Sequence, residues 1–209
     1  MSGRSSIDVG GGYDRGYATC PMFWPDRPGS LLAALEQQGE LHGGHALDAG
    51  CGEGTNAAWL TDRGFAVEAI DVSALGLGHA EERYPNLSVR WTNADIRSFE
   101  PAREKHDLVV AYGLLHCVEE RELDQVLARL KGWTRTGGLL VVVAFNSRSQ
   151  DLERAHAGFN PTLRTHQFYV EAFDNWELLT ATDSDLHETH PDTGIPHHHS
   201  MSRIVARCT

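Results

Sequence analysis

Leu47-Asp-Ala-Gly-Cys-Gly-Glu-Gly-Thr55 places three glycines at alternate positions, between a short apolar run and a helix-like one. Glycines at this spacing allow sharp backbone turns and let a ligand come close to main-chain N–H groups. The triplet alone also suits a plain strand-to-helix turn, but two acidic residues downstream argue for a ligand site. Asp71 closes the run Phe65–Ile70, 21 residues after Gly50. That is close to the spacing of about 20 at which an acidic side chain meets ribose hydroxyls. Asp95 follows a third strand-like run, in Asn93-Ala-Asp-Ile-Arg97. Either aspartate alone could instead cap the helix that follows it. All three features fall at the carboxyl ends of successive strands, the edge where open α/β sheets bind ligands.

Outward from the loop, strand and helix patterns alternate. His45–Asp48 reads as a strand, Thr55–Arg63 as a helix stopped by Gly64, and Phe65–Ile70 as a second strand. Ser73 opens a helix to about Arg83, and strands follow at Leu87–Trp91 and Asp107–Ala111. Leu123, Val126, Leu127 and Leu130 share one helix face, and Gly137-Gly138 breaks that pattern. Leu139–Phe145 is continuously apolar, as expected of a central parallel strand covered on both faces. Strands alternating with helices predict a three-layer, doubly wound, mostly parallel sheet. After residue 145 a short helix, about Thr165–Phe173, leads to strand-like runs Trp176–Glu188 and His198–Arg207. The turn Pro191–Pro196 makes them a terminal β-hairpin. Before the loop, Ser30 is placed to cap a helix over residues 31–38. Residues 1–28, rich in glycine, proline and aromatics, read as an ordered arm or lid, with a disordered tail open for residues 1–12.

The 209 residues predict a single domain, with an arm and helix over 1–43, a cofactor core over 44–145 and an acceptor side over 146–209. A net charge of −11 repels phosphate backbones and argues against a nucleic-acid substrate. The four cysteines, Cys20, Cys51, Cys117 and Cys208, form no C-x-x-C pair and indicate neither a zinc knuckle nor a disulfide framework. No apolar run reaches the ~20 residues of a membrane span, and the first residues lack a signal-peptide core. The expected location is cytoplasmic, with no membrane partner.

The glycine spacing separates two cofactor classes. Dinucleotide sites use G-x-G-x-x-G to aim a helix start at pyrophosphate. Gly50-x-Gly52-x-Gly54 departs from that pattern, and Glu53 within it would repel pyrophosphate. S-adenosylmethionine carries no phosphate. Its sulfonium and amino-acid tail suit the loop better, which disfavours a nicotinamide-dependent oxidoreductase on a related fold.

The segment Ala46–Leu60 resembles motif I of the class I S-adenosylmethionine-dependent methyltransferases. Asp71 resembles their ribose-binding acid, and Asp95-Ile96 their adenine-binding pair. Asp107-Leu-Val-Val-Ala-Tyr-Gly-Leu-Leu-His-Cys-Val118 resembles their motif IV, and Arg135–Leu140 the lead into their fifth strand. The resemblance implies a seven-stranded sheet ordered 3-2-1-4-5-7-6 with an antiparallel last strand. It also implies a cofactor site lined by Asp48, Gly50, Gly52, Gly54, Asp71, Val72, Asp95, Ile96 and Tyr112.

Asn175–Leu179 and Asp185-Leu-His-Glu-Thr189 are similar to the tellurite-resistance branch of that superfamily, whose active-site histidine corresponds to His187. Glu188 replaces the arginine that follows it there, and His198 and Ser200 stand where the branch is basic. These losses of positive charge favour a small organic acceptor over an oxyanion. The implied topology sets His187, His190, His197, His198 and His199 near the acceptor. Three readings stay open: one or two act as base or pocket wall, the cluster is a solvated turn, or it binds a divalent metal. Neighbouring strand residues face opposite ways, so the triplet His197–His199 cannot all reach one ion, and no metal ligand is assigned.

His187 is the first candidate base and His116, in motif IV, the second, with a packed histidine as the alternative for His116. Tyr13, Tyr17, Phe23 and Trp24 are candidates to close the pocket. The expected reaction is in-line methyl transfer to a small-molecule O, N, S or C nucleophile. The alternatives are a metal-assisted version using the hairpin, an oxidoreductase, and a cofactor-binding module without an acceptor pocket.

Overall fold

The computed structural model describes residues 13–156, 158–191 and 193–209. The strands are β1 (Gly44–Ala49), β2 (Phe65–Asp71), β3 (Val89–Asn93), β4 (His106–Tyr112), β5 (Thr134–Gln150), β6 (Glu177–Thr189) and β7 (Pro196–Arg207), with helices between them up to β5 except between β3 and β4. The helices are α1 (Asp14–Thr19), α2 (Ser30–Gln37), α3 (Thr55–Thr61), α4 (Ala74–Arg83), α5 (Glu120–Trp133), α6 (Leu152–Ala155) and α7 (His166–Glu171). The strands form one sheet in the order β3-β2-β1-β4-β5-β7-β6. β1 to β5 pair in parallel, and β7 runs antiparallel to both β5 and β6. This is the order and strand direction that the family resemblance implied.

The apolar run of β5 shows why a central strand needs no polar face. Leu140, Val142 and Ala144 pack with Leu123, Val126, Leu127 and Leu130 of α5 and with Tyr169 of α7. Leu139, Val141, Val143 and Phe145 pack on the other side with Leu31, Leu32 and Leu35 of α2 and Ala57 and Leu60 of α3. Alternate residues thus enter two cores, and the sheet lies between them as the middle layer. Among the described residues no helix is long and apolar enough to cross a membrane.

Several boundaries differ from the sequence reading. Ser30 is the first residue of α2 and not its cap: Gly29 holds the cap position, and the Ser30 main-chain N–H donates to the Tyr112 hydroxyl at 3.2 Å. Gly137-Gly138 does not end α5, which stops at Trp133; the pair lies inside β5. A Cβ on Gly138 would come 3.0 Å from the carbonyl oxygens of His106 and Asp107, so glycine there lets the strands approach. The third strand starts two residues later than read, at Val89. Tyr13 to Pro28 forms the expected packed arm, with α1 inside it and Tyr17 and Phe23 buried. Residues 1–12, for which a disordered tail was left open, lie outside the described residues.

Candidate active site

The glycine loop joins β1 to α3. Gly50, Gly52 and Gly54 have φ of 72°, 52° and 77°, left-handed values that any residue with a Cβ adopts at a cost. The loop is also tightly enclosed. A Cβ would meet the Leu114 side chain at 3.0 Å from Gly50, the Tyr17 hydroxyl at 2.7 Å from Gly52 and the Trp91 ring at 2.5 Å from Gly54.

Asp71, at the end of β2, is tied to the same loop. Its Oδ2 accepts from the Gly52 N–H at 2.8 Å, and its Oδ1 from the Ser73 N–H at 2.8 Å. Burial raises the Asp71 carboxyl above the usual range, while these two N–H groups pull the other way. Ser73 caps α4 by accepting from the Gly76 N–H at 3.0 Å. Val72 stands 37% exposed, an apolar side chain left open at the rim. Asp95 is held by Arg97, whose Nε lies 2.8 Å from both carboxylate oxygens, and this partner keeps its carboxyl below the usual range. Ile96 beside it is buried.

Asp48 sits at the end of β1, 1% exposed. Neither of its oxygens has a hydrogen bond of ordinary geometry, although the Ala57 main chain lends partial support. Burial, and then the nearby Asp71, push its carboxyl up to about 7. A buried carboxylate left in this state calls for a cationic partner.

One cavity of about 2190 Å³ runs along this edge of the sheet. Gly50, Gly52, Asp71, Val72, Asp95, Ile96 and Tyr112 line it, whereas Asp48 and Gly54, expected to do so, do not. The loop, the two acids, the exposed Val72 and the uncompensated Asp48 fit a ligand with a ribose, an apolar base and a cationic tail. S-adenosylmethionine has all three.

Residues 46–138 match a family model described as a methyltransferase domain. The chain carries a class I S-adenosylmethionine-dependent methyltransferase domain. An uncharacterized methyltransferase of Mycobacterium tuberculosis is 40% identical over 99 residues, which is 47% of this chain and 49% of that one. The 2-heptyl-1-hydroxyquinolin-4(1H)-one methyltransferase of Mycobacteroides abscessus is 30% identical over 156 residues, covering 70% of this chain and 66% of that one. TehB from Haemophilus influenzae shares the fold with a TM-score of 0.73 at 18% identity, over 86% of this chain and 61% of that one. The chain spans about half the length of the first curated relatives it matches.

The methyltransferase domain's second wall is aromatic. Tyr13 from the arm has the rings of Tyr17, Phe23, Trp24 and Phe159 around it at centroid distances of 5.3–6.5 Å. His116, in a 3-10 turn after β4, closes the far side. It is 1% exposed and stacks on Phe145 at 3.9 Å. Its Nδ1 accepts from the Phe145 N–H at 3.3 Å, and its Nε2 lies 3.2 Å from the Tyr13 hydroxyl. Burial pulls His116 down to about 3, so the ring is neutral. With Nδ1 accepting, the single proton is on Nε2 and donates to Tyr13. His116 therefore orients Tyr13 and has no lone pair to offer as a base. Burial also pushes the neighbouring Cys117 thiol up to about 12.

His187, the first candidate base, lies on the hairpin beside the cavity. The register sets Glu188 opposite His197 and His187 opposite His198, so His187 and His198 share the other face of the hairpin from Glu188. His187 is exposed, lines the cavity and lies beside His198, ring centroids 5.9 Å apart. His156, Gln150, Phe145 and Phe159 were not singled out in the sequence. They sit at the end of a very long strand or in the irregular 151–165 segment, where no periodicity marks them. Glu53, read only as hostile to pyrophosphate, fastens the arm: it accepts from the Trp24 N–H at 3.0 Å.

Proposed function

We propose that this protein transfers the methyl group of S-adenosylmethionine to a heteroatom of a small, mainly apolar organic acceptor. The observation that carries the reading is continuity: the glycine loop with Asp71 and the aromatic box around Tyr13 line one cavity. One relative is named for methylating an alkylated hydroxyquinolinone, which supports the reading. The net charge of −11 disfavours a nucleic-acid acceptor.

Bound S-adenosylmethionine supplies an electrophilic methyl on a sulfonium. The protein's share is alignment and the exclusion of water. Asp71 and the loop N–H groups would hold the sugar, Asp95, Ile96 and Val72 the base, and Asp48 would supply negative charge beneath the cationic tail. Tyr13, receiving its hydrogen bond from His116, has its own proton to donate to a polar atom of the acceptor. The arm covers the box and keeps water out.

Calorimetric titration with S-adenosylmethionine, S-adenosylhomocysteine and NADH, repeated on Asp71→Ala, tests this. Binding of the two adenosyl ligands, weakened in the variant, supports it. Binding of NADH alone, or of nothing, rejects it.

A further inference from the structure

The hairpin brings four side chains to one point beside the cavity. His197 and His199 of β7 are two residues apart and share a face, with His198 turned away. Glu188 of β6 stands opposite His197. His156, following α6, reaches over from the other side. Its Nε2 lies 3.2 Å from His197 Nε2 and 3.1 Å from His199 Nε2. Glu188 Oε1 lies 3.7 Å from His197 Nε2 and 3.6 Å from His199 Nε2. One ligand atom from each residue falls within 4.8 Å of all the others.

We infer that His156, Glu188, His197 and His199 bind one divalent first-row transition ion, zinc being the first candidate. Tetrahedral zinc with arms of about 2.0–2.1 Å has ligand-to-ligand edges of roughly 3.3–3.4 Å. The four edges quoted above, 3.1 to 3.7 Å, bracket that value.

The second layer of contacts points the same way. His197 Nδ1 lies 2.8 Å from the Ile195 carbonyl oxygen, and His199 Nδ1 lies 2.7 Å from Gln150 Oε1. The Gln150 amide is fixed in that orientation because its Nε2 donates to the carbonyls of Asn146 at 2.7 Å and Ser200 at 2.9 Å. Both partners are acceptors only, so Nδ1 carries the proton in each ring and the Nε2 lone pairs converge on the cluster. Metal-binding histidines are oriented in this way. His199 is fully buried.

His156 and Glu188 also line the large cavity, so the ion would face the acceptor. A thiol or hydroxyl that enters as a fifth ligand would release its proton to water. The lone pair left on sulfur or oxygen then forms the new bond to the methyl group, while the old S–CH3 bond breaks with its electrons staying on the sulfonium sulfur. This role rests on the methyl-transfer reading, whereas the ion site does not.

The test uses the whole chain, freed of metal by a chelator and titrated with cobalt(II) and zinc(II), with S-adenosylhomocysteine titrated into the same metal-free sample. The expected result is one cobalt per chain with the intense visible absorption of a four-coordinate ion, displaced by zinc. His197→Ala combined with His199→Ala abolishes that spectrum, and Gln150→Leu weakens binding by roughly 10–100-fold. The weak spectrum of hydrated cobalt in the unmutated protein, or a four-coordinate spectrum that survives the double substitution, overturns the site. Absence of S-adenosylhomocysteine binding would count against the methyltransferase reading and leave the ion result standing by itself.

Discussion

The Trp24 main-chain N–H donates to the Glu53 carboxylate at 3.0 Å, joining the arm to the glycine loop. The other Glu53 oxygen lies 3.0 Å from His79 Nδ1, and the Trp24 indole donates to the Tyr17 hydroxyl at 3.1 Å. Glu53 is 1% exposed, so nothing from solvent replaces it. Glu53→Ala leaves the Trp24 N–H without its acceptor, at a cost of about 1–3 kcal/mol. The expected outcome is a lower Tm and faster proteolysis within residues 13–28. Unchanged Tm and unchanged cleavage would mean the arm is held by its ring contacts alone.

Asp48 predicts a pH effect with a definite sign. Its carboxyl is pushed up to about 7 by burial, against roughly 3.9 in an unfolded chain. Between those values the folded form holds a proton that the unfolded form has lost. In the cofactor-free protein the contribution of this group is therefore most favourable below about pH 4 and is lost as pH rises towards 7, by up to about 1.4 kcal/mol per unit. Asp48→Asn removes that slope, so the Tm difference between variant and parent should grow from pH 5 to pH 8. A cationic ligand tail that ionises Asp48 should also release a proton on binding below pH 7. Calorimetry in buffers of different ionisation enthalpy reads that proton, and a binding heat independent of buffer would contradict the role.

The fold was legible because periodicity and glycine spacing are local signals. Leu139–Phe145 alternates into two cores as an unbroken apolar run should, and Asp71 ends its strand within reach of the Gly52 N–H. The acceptor side was not legible to the same degree. His187 and His199 look equivalent in sequence, and only the β6–β7 register decides which enters the cluster and which faces solvent. His156 meets His197 across 41 residues. Contacts of that range come from tertiary packing, which no short pattern encodes.

The loop glycines separate two costs that one position would confuse. Gly54 has φ 77°, and a Cβ there would come 2.5 Å from Trp91 and 2.9 Å from Ala80. Gly113 has φ 85° but nothing within 4 Å of such a Cβ. Gly113→Ala should lose about 1–2 kcal/mol for the left-handed backbone alone. Gly54→Ala adds overpacking of about 1–3 kcal/mol. Denaturant unfolding of the two variants should show the larger loss at Gly54, and equal losses would mean that Trp91 simply moves aside.

Two substitutions distinguish a hydroxyl inside the box from an imidazole outside it. His116 accepts from the Phe145 N–H and so directs its one proton at Tyr13. Tyr13→Phe keeps the ring among Phe23, Trp24 and Phe159 and removes only the hydroxyl. Loss of one neutral hydrogen bond, about 0.5–1.5 kcal/mol, should lower kcat/KM for methyl transfer by roughly 2–10-fold. His187 is exposed on the face away from Glu188, so His187→Ala should leave kcat/KM within about twofold, since a surface change removes no buried contact. The opposite pair of results, with His187→Ala inactive and Tyr13→Phe silent, would move the chemistry to the outer face of the hairpin.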